Sequence, residues 1–364
     1  MDCRSVLDSA WAIGFSLINR SMCVMLQPDV VVIGGGVAGL TVAASLADRG
    51  IRTVVVDRQA CGTATSAQAA GMLAPLVEAR SSEQDLLHFG VAALQFWREY
   101  RTSIGLNDGE EYRSDGTLLV GSERDHAGQI DHIAEEYRAL GLSIREIDRS
   151  ALRKQHPLLA PGIARGYLSE SDHHVDPRAL LRRLIDRCTA DTNVTIVEDF
   201  AVDSIARLAD GNYTLQSYDR VIGAPAVVIS GGAASRTINL VDLPESAAHA
   251  LSAIRPVVGD IIALDASRFP VVRSVVRTPD VYLVPHADRL LVGASSEERG
   301  FADKPRAGAV YELLRSAAET VPSTWEMPIN GVAVGHRPAT IDHAPMIGLL
   351  DGAGLYVASG YYRH

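Results

Sequence analysis

The sequence predicts a mixed α/β fold in which a parallel-sheet, nucleotide-binding unit is interleaved with a second domain built on an antiparallel sheet. Three observations carry this expectation. A strand, a glycine-rich turn, a helix and a second strand follow one another between Asp29 and Asp57. Short β-rich segments divided by turn residues dominate the second half of the chain. No internal repeat or low-complexity linker separates the 364 residues into units in series.

The first element is Asp29 to Ile33, DVVVI, an almost unbroken β-branched run of the kind found in strands buried on both faces. From Val37 to Arg49, Val37, Leu40, Ala43, Ala44, Leu46 and Ala47 return at helical spacing, and Gly50 stops the helix. Thr53 to Val56 is a second strand, ending at Asp57. Amphipathic helices are expected over Glu83 to Ile104 and Glu123 to Leu140, with a strand at Thr117 to Val120 between them. Pro177 to Thr189 reads as a helix with Pro177 in its first turn and Asp176 as its cap. Six short strands follow: Val194 to Val197, Tyr213 to Gln216, Ala226 to Ile229, Asp260 to Leu264, Val281 to Val284 and Leu290 to Val292.

Composition narrows the function classes. With 47% hydrophobic and 21% charged residues the chain is an ordinary globular one. Its 34 basic and 44 acidic residues give −10, and only 5% of residues are aromatic, which argues against a nucleic-acid partner. Lysine occurs only at Lys154 and Lys304, so the basic charge is almost all arginine, which grips carboxylates and phosphates through two donors at once. Cys3, Cys23, Cys61 and Cys188 are scattered without metal spacing, which fits a reducing, cytoplasmic setting. Ala10 to Leu26 is apolar but contains Asn19 and Arg20 and falls short of the ~18 uninterrupted apolar residues of a spanning helix. It lacks a convincing small-residue cleavage site, and the first strong element begins at Asp29, so residues 1–24 are expected to be an extension outside the fold, with a weak targeting signal as the alternative; no membrane partner is expected.

Gly34-Gly35-Gly36-Val37-Ala38-Gly39 places G-x-G-x-x-G between the first strand and its helix. Gly34 makes the turn, Gly36 lets a pyrophosphate approach the backbone, and Gly39 lets helix and strand pack closely. The helix N-terminus adds free N–H donors, from Val37 and Ala38 onward, and a positive dipole end. Asp57, 18 residues beyond Gly39 and followed by Arg58, is placed to accept the hydroxyl protons of an adenosine ribose. This is a Rossmann-type unit, and by itself it does not distinguish NAD from FAD.

The next segment, Gly62 to Pro75 (GTATSAQAAGMLAP), resembles the G-x-x-(S/T)-S-x-x-A-A-G-M-L-A-P stretch of the D-amino-acid-oxidase-like flavoproteins, most closely the glycine oxidases of thiamine biosynthesis. The likeness runs over almost the whole chain from Met25. His174 to Arg178 resembles the family's h-V-D-P-R motif. Val227 to Ser235 resembles V-V-x-A-A-G-A-W-S, with Ser230-Gly231 for the usual alanines and Ala234 for the tryptophan. Arg255 to Asp260 resembles R-P-V-x-G-Q, with Asp260 for glutamine.

The resemblance implies a glutathione-reductase-like FAD-binding domain formed by residues 25–80, 155–240 and 330–364, and a substrate domain formed by 81–154 and 241–329. It implies that Thr65, Ser66, Ala70, Gly71 and Met72 run past the pyrophosphate, ribityl chain and flavin ring. Val202 would present its backbone to adenine, and Ser230, Gly231 and Gly232 would line the cofactor. Relatives that attach FAD covalently use a cysteine in the region matching Val334 to Pro345, which has none, so FAD is expected to be non-covalent.

Gly335 to Thr340 resembles G-x-R-P-x-(T/S), whose arginine, here Arg337, holds the substrate carboxylate. Val281 to Pro285 resembles the strand whose tyrosine, here Tyr282, adds a second donor. Ser359 to Arg363 resembles the late motif whose arginine, here Arg363, sits beside substrate and flavin.

The implied reaction moves a hydride from the Cα of glycine or another small amino acid or amine to flavin N5. The imine is hydrolysed to a 2-oxo acid and ammonia, and oxygen reoxidises the flavin to give hydrogen peroxide. A homo-oligomer and a supply role for the thiazole branch of thiamine biosynthesis are part of the same expectation. Two alternatives stand beside it: a D-amino acid dehydrogenase that passes electrons to a quinone, and a catalytically silent flavoprotein, since the family's final helix would follow His364. No metal site is expected, because His173 and His174 are adjacent and face different directions, and His286 and His343 are expected to hydrogen-bond locally.

Overall fold

Val30–Ile33 lies inside a six-stranded sheet whose order is Met346–Leu349, Leu355–Ser359, Ala226–Ile229, Val30–Ile33, Thr53–Val56, Val194–Val197. All neighbours are parallel except the edge strand Met346–Leu349, which runs antiparallel to Leu355–Ser359. The computed structural model describes residues 27–75, 83–121 and 124–363. The expected N-terminal extension, with Cys3 and Cys23, and His364 with anything expected beyond it, lie outside the described residues.

The continuous valine runs are explained by burial on both faces. Val31, Ile33, Val54 and Val56 point into one apolar cluster with Tyr213, Leu215 and Ile205, whereas Val32 and Val55 point into another. The second cluster is supplied by the helices Val37–Ala47 and Pro177–Ala190. Leu40, Ala43, Ala44 and Ala47 recur at the spacing of one helical face and are all buried there. The first cluster is closed by a four-stranded sheet in which Ser204–Arg207, Tyr213–Ser217 and Arg220–Ala224 form an antiparallel meander.

The other large sheet has eight strands, ordered Ile329–Ala339, Arg255–Asp265, Arg289–Gly293, Tyr282–Pro285, Val275–Arg277, Thr117–Val120, Gly166–Ser169, Arg145–Ile147. Only the Val275–Arg277 and Thr117–Val120 pair is parallel. One face packs on the helix Ala307–Thr320 through Leu313 and Ala317 and on Arg149–Gln155 through Leu152. The opposite face carries Ile261, Val284 and Leu291 and meets Ala70 and Met72 from the nucleotide-binding side.

Several elements differ from expectation in extent. Asp260 to Leu264 is the end of an eleven-residue strand, Arg255–Asp265. Pro256 is tolerated in it because the N–H groups of alternate residues share an edge, and Val258 on that edge donates to Glu297 O outside the long ladder with Ile329–Ala339. Strand pairing also crosses two expected domain boundaries. Gly166–Ser169 and Ile329–Ala339, grouped by sequence with the cofactor-binding segments, are strands of the eight-stranded sheet.

Candidate active site

The glycine turn fits its sequence by necessity. Gly34 adopts φ +108°, and a Cβ there would lie 2.5 Å from Ser230 O. A Cβ at Gly39 would lie 1.9 Å from Gly34 O, so no other residue lets the helix approach the turn. Gly36 caps the helix Val37–Ala47 without any side-chain cap, and Val37 N finds a partner only in Ser66 Oγ, at 3.1 Å. The Asp57 carboxylate braces the same turn, accepting Gly35 N at 2.6 Å and Gln59 N at 2.9 Å.

A cavity of about 800 Å³ runs from this turn to the eight-stranded sheet. Gly34, Gly36, Val37, Ala38, Asp57, Arg58, Thr65, Ser66, Ala70, Gly71, Met72, Val202, Ser230, Gly231 and Gly232 line it, and so do Tyr282, Arg337 and Arg363. Of the residues singled out by sequence only Gly39 lies off the wall, beneath the turn. Two features show that the residues present suit a dinucleotide. The turn offers backbone N–H groups where side chains are excluded, and Ser230 Oγ is buried on the wall with no hydrogen-bond partner in the protein.

The far end is shaped by strand register. Tyr282 pairs with Gly293, Gly293 with Ile261 and Ile261 with Ala333, while Gly259 pairs with Gly335 and Val257 with Arg337. Paired residues and alternate residues along a strand share a face, so Tyr282, Gly293, Ile261, Gly259, Gly335 and Arg337 all present to one side. Glycine makes room for both polar side chains. A Cβ at Gly259 would sit 2.4 Å from Arg337 Nη1, and one at Gly293 would sit 2.5 Å from the Tyr282 ring. Arg337 Nη1 donates to Ser295 O at 3.1 Å, which fixes one arm of the guanidinium and leaves others for the cavity. The Thr65–Gln68 turn is tied to the same strand, since His336 N donates to Thr65 Oγ1 at 3.3 Å.

Arg363 reaches the wall but is not open. Its Nη1 lies 2.6 Å from Glu83 Oε2 and its Nη2 donates to Glu83 Oε1 at 3.1 Å, a two-pronged pair with both side chains largely buried. His343 Nδ1 contacts the same Glu83 oxygen at 3.2 Å and stacks on Tyr362 at 4.5 Å between ring centres.

The expectation that His286 and His343 bond locally is therefore incorrect. His343 meets a residue 260 positions away, and His286 Nε2 meets Ala70 O, 216 positions away. Folding brings the 282–286 and 336–343 segments onto segments distant in sequence, so neighbouring residues offer no guide to partners. His173 and His174 do face apart, toward Tyr112 and Pro285 respectively. The helix Gln84–Ser103 also walls the cavity with Leu86, Phe89 and Trp97. Sequence reasoning missed these and Glu83, because an amphipathic pattern marks an apolar face without saying what it covers.

Cys61 is buried and pressed against Gly35, where its thiolate is disfavoured. Burial and the nearby Asp57 and Glu198 carboxylates push its thiol up to about 12. Among the described residues no group of three or more His, Cys, Asp or Glu is placed to hold a metal ion, and no helix is long and apolar enough to cross a membrane.

Known proteins resemble this chain over nearly its whole length. A family model described as DAO, FAD dependent oxidoreductase, matches residues 29–364. The glycine oxidase of Pseudomonas putida is 28% identical over 352 residues, covering 93% of this chain and 90% of that protein. The bifunctional protein ThiO/ThiG of Nostoc sp. is 26% identical over 352 residues, covering 92% of this chain but 50% of its own length, so the chain spans about half of that relative. The crystal structure of glycine oxidase from Geobacillus kaustophilus superimposes with a TM-score of 0.82 at 26% identity, covering 93% of this chain and 90% of that one. With the glycine turn, the buried cradle and the family match over nearly its whole length, this chain belongs to the DAO family of FAD-dependent oxidoreductases.

Proposed function

We propose that the protein oxidises a small amino acid or amine, glycine foremost, with Arg337 and Tyr282 holding the substrate carboxylate. The observation that carries this reading is the shared face on which Arg337 stands over Gly259 and Tyr282 over Gly293, at the end of the cavity remote from the phosphate-binding turn. A planar guanidinium with one arm fixed and a phenol beside it match the two oxygens of a carboxylate. The apolar neighbours Met72 and Ile261 keep bulk water from the space between.

FAD, held non-covalently along the glycine turn and the Thr65 to Met72 segment, supplies the hydride acceptor for the Cα–H bond. The protein's own contribution is orientation. A substrate fixed by its carboxylate presents Cα in one direction only, and such positioning removes much of the entropic barrier. Hydrolysis of the imine by water, giving a 2-oxo acid and, from a primary amino acid such as glycine, ammonia, completes the proposed reaction, with peroxide formed in air; a supply role in thiamine biosynthesis is supported by the likeness to ThiO/ThiG.

The decisive measurement is anaerobic mixing of FAD-loaded protein with glycine, sarcosine, D-alanine and D-proline. Bleaching of the flavin band by at least one is expected, with one peroxide per turnover once air is admitted. No bleaching by any of the four would sink the reading, whereas bleaching without peroxide would move the electron acceptor from oxygen to a quinone.

A further inference from the structure

Ala70, Gly71 and Met72 line the cavity, and what holds them lies behind it. The strand His173–Val175 pairs Met72 with His174 and Leu73 with His173, and Val175 N donates to Gly71 O at 2.8 Å. The His174 ring, 1% exposed, points on to the other sheet, where its Nε2 lies 3.0 Å from Pro285 O at the end of the Tyr282 strand. The next residue, His286, also 1% exposed, returns the contact, with Nε2 3.2 Å from Ala70 O. The two rings meet edge to face, 5.9 Å between centres. A backbone carbonyl can only accept, so both rings carry their proton on Nε2. His174 Nδ1 has no partner in the protein.

The exchange is reciprocal. The neighbour of the flavin-side segment grips the Tyr282 strand, and the continuation of the Tyr282 strand grips the flavin-side segment. We propose that His174 and His286 are positioning residues, a paired imidazole clamp that fixes Ala70–Met72 against the Tyr282 strand and so sets the distance from bound cofactor to substrate Cα. The proposal rests on the substrate reading given above.

A plain packing role would need only two buried rings of suitable size. It would not need each ring to bond a carbonyl of the opposite segment. Nor would it favour imidazole, since burying a polar ring among apolar neighbours is costly unless its N–H is used. Burial, reinforced by the partner ring and Arg113, pushes His174 down to about 3. Burial and Arg289, opposed by Asp176, bring His286 to about 4. Both rings are therefore uncharged at neutral pH.

The test compares His286→Ala, which removes the donor to Ala70 O, with His286→Gln, whose amide can replace it. Three readouts are taken: amide hydrogen exchange of residues 70–73 without FAD, visible circular dichroism of bound flavin, and the limiting rate of flavin reduction at saturating amine. For His286→Ala, faster exchange at residues 70–73, an altered flavin dichroism and a reduction rate lower by about 10- to 100-fold are expected, with KM changed less than about threefold. The Gln variant is expected to recover most of each. Unchanged exchange and dichroism in the Ala variant would overturn the clamp, and so would a folded Gln variant as impaired as Ala. If the Ala variant does not fold, His174→Gln and His286→Gln carry the test: wild-type flavin dichroism supports the clamp, and a folded variant with perturbed dichroism overturns it. Exchange and dichroism need no substrate, so a failure of the substrate reading is seen separately, as the absence of bleaching in the unsubstituted protein.

Discussion

The turn at Gly34 to Gly39 and the sheet face bearing Tyr282 and Arg337 bound one cavity with opposite materials. At the turn the protein presents backbone: N–H groups, a helix end and glycines whose missing side chains leave no slack. At the sheet it presents side chains, and there the glycines serve as hollows beneath an arginine and a tyrosine. The first arrangement suits a group that all members of a cofactor class share, and neither Gly34 nor Gly39 can be exchanged without moving the chain. The second leaves the scaffold intact when its side chains change, so specificity can vary while the fold stays. The contrast predicts that substitutions at the turn fail structurally and those on the sheet fail kinetically.

The largest effect is expected at Gly39. In Gly39→Ala the new methyl would meet Gly34 O at 1.9 Å, and that oxygen belongs to backbone that cannot swing away. Overpacking of this kind costs about 1–3 kcal/mol where neighbours can yield, and more is expected here. Thermal unfolding should fall by several degrees and FAD should no longer co-purify. Gly36→Ala is the control for stability alone, because its methyl would meet only Ser66 Oγ, at 3.0 Å, on a rotatable side chain. An equal fall in thermal unfolding for the two would break the comparison at its first step.

Next in size is Arg337→Ala. Losing a two-donor grip on a carboxylate removes a charge-assisted pair, so KM should rise about 100-fold or more with FAD affinity and melting temperature close to wild type. Tyr282→Phe keeps the ring over Gly293 and removes one hydroxyl, for which about a tenfold rise is expected. Loss of FAD from either variant would show that the sheet face is structural after all. Steady-state kinetics with flavin absorbance on the same sample decides.

How far these two ends were legible follows the same division. The turn, its strand and its helix are local, so spacing alone located Gly34, Gly36, Gly39 and Asp57. Tyr282 and Arg337 stand 55 positions apart on strands joined only through Arg289–Gly293 and Arg255–Asp265, and nothing in their spacing links them. Resemblance to a family pointed to them, and register alone shows that they share a face. The helix Ala307–Thr320 was overlooked although Leu313, Ser316, Ala317 and Thr320 recur at helical spacing, because two of its four buried residues are polar. His174 stands in a recognisable motif and Glu83 opens a legible helix, but nothing in the sequence gives the partners of Glu83 or of the histidine pair, since these lie from 111 to 280 positions away.

A third effect, of a few kcal/mol, falls at the seam between the two ends. His174 and His286 are uncharged in the fold, with values near 3 and 4, and would charge near 6.5 in an unfolded chain. Their contribution is thus fully present above pH 6.5 and is lost as pH falls toward 4, because the unfolded chain takes up protons that the folded one refuses. Each such proton contributes at most about 1.4 kcal/mol per pH unit, so the slope steepens below pH 6.5 toward that of two protons. His156 and His173, also lowered by burial, act in the same direction. Urea midpoints between pH 4.5 and 6.5 should show the slope, and His286→Gln should reduce it by about one proton. An unchanged slope in that variant would mean that His286 is already charged in the fold.

The smallest effect belongs to Glu83, and it examines the idea that the sheet side is tunable by charge. Glu83 takes both arms of Arg363 and touches His343, so this cationic part of the cavity wall is neutralised by an acid from the start of another helix. Glu83→Gln removes the carboxylate charge that faces the largely buried Arg363 guanidinium, a change that favours any other carboxylate able to reach it. A simple monocarboxylate such as acetate should then inhibit about three- to tenfold more strongly, with Arg337 unaltered and the fold intact. The amine-bearing substrate should gain less, because its positive end loses the nearby acid. Inhibition that stays constant or weakens would mean that Arg363 remains turned from the substrate whatever its partner. Arg337 would then be the cation that meets the carboxylate, with Tyr282 beside it, and Glu83 would only tie the helix Gln84–Ser103 to the segment that follows the strand Leu355–Ser359.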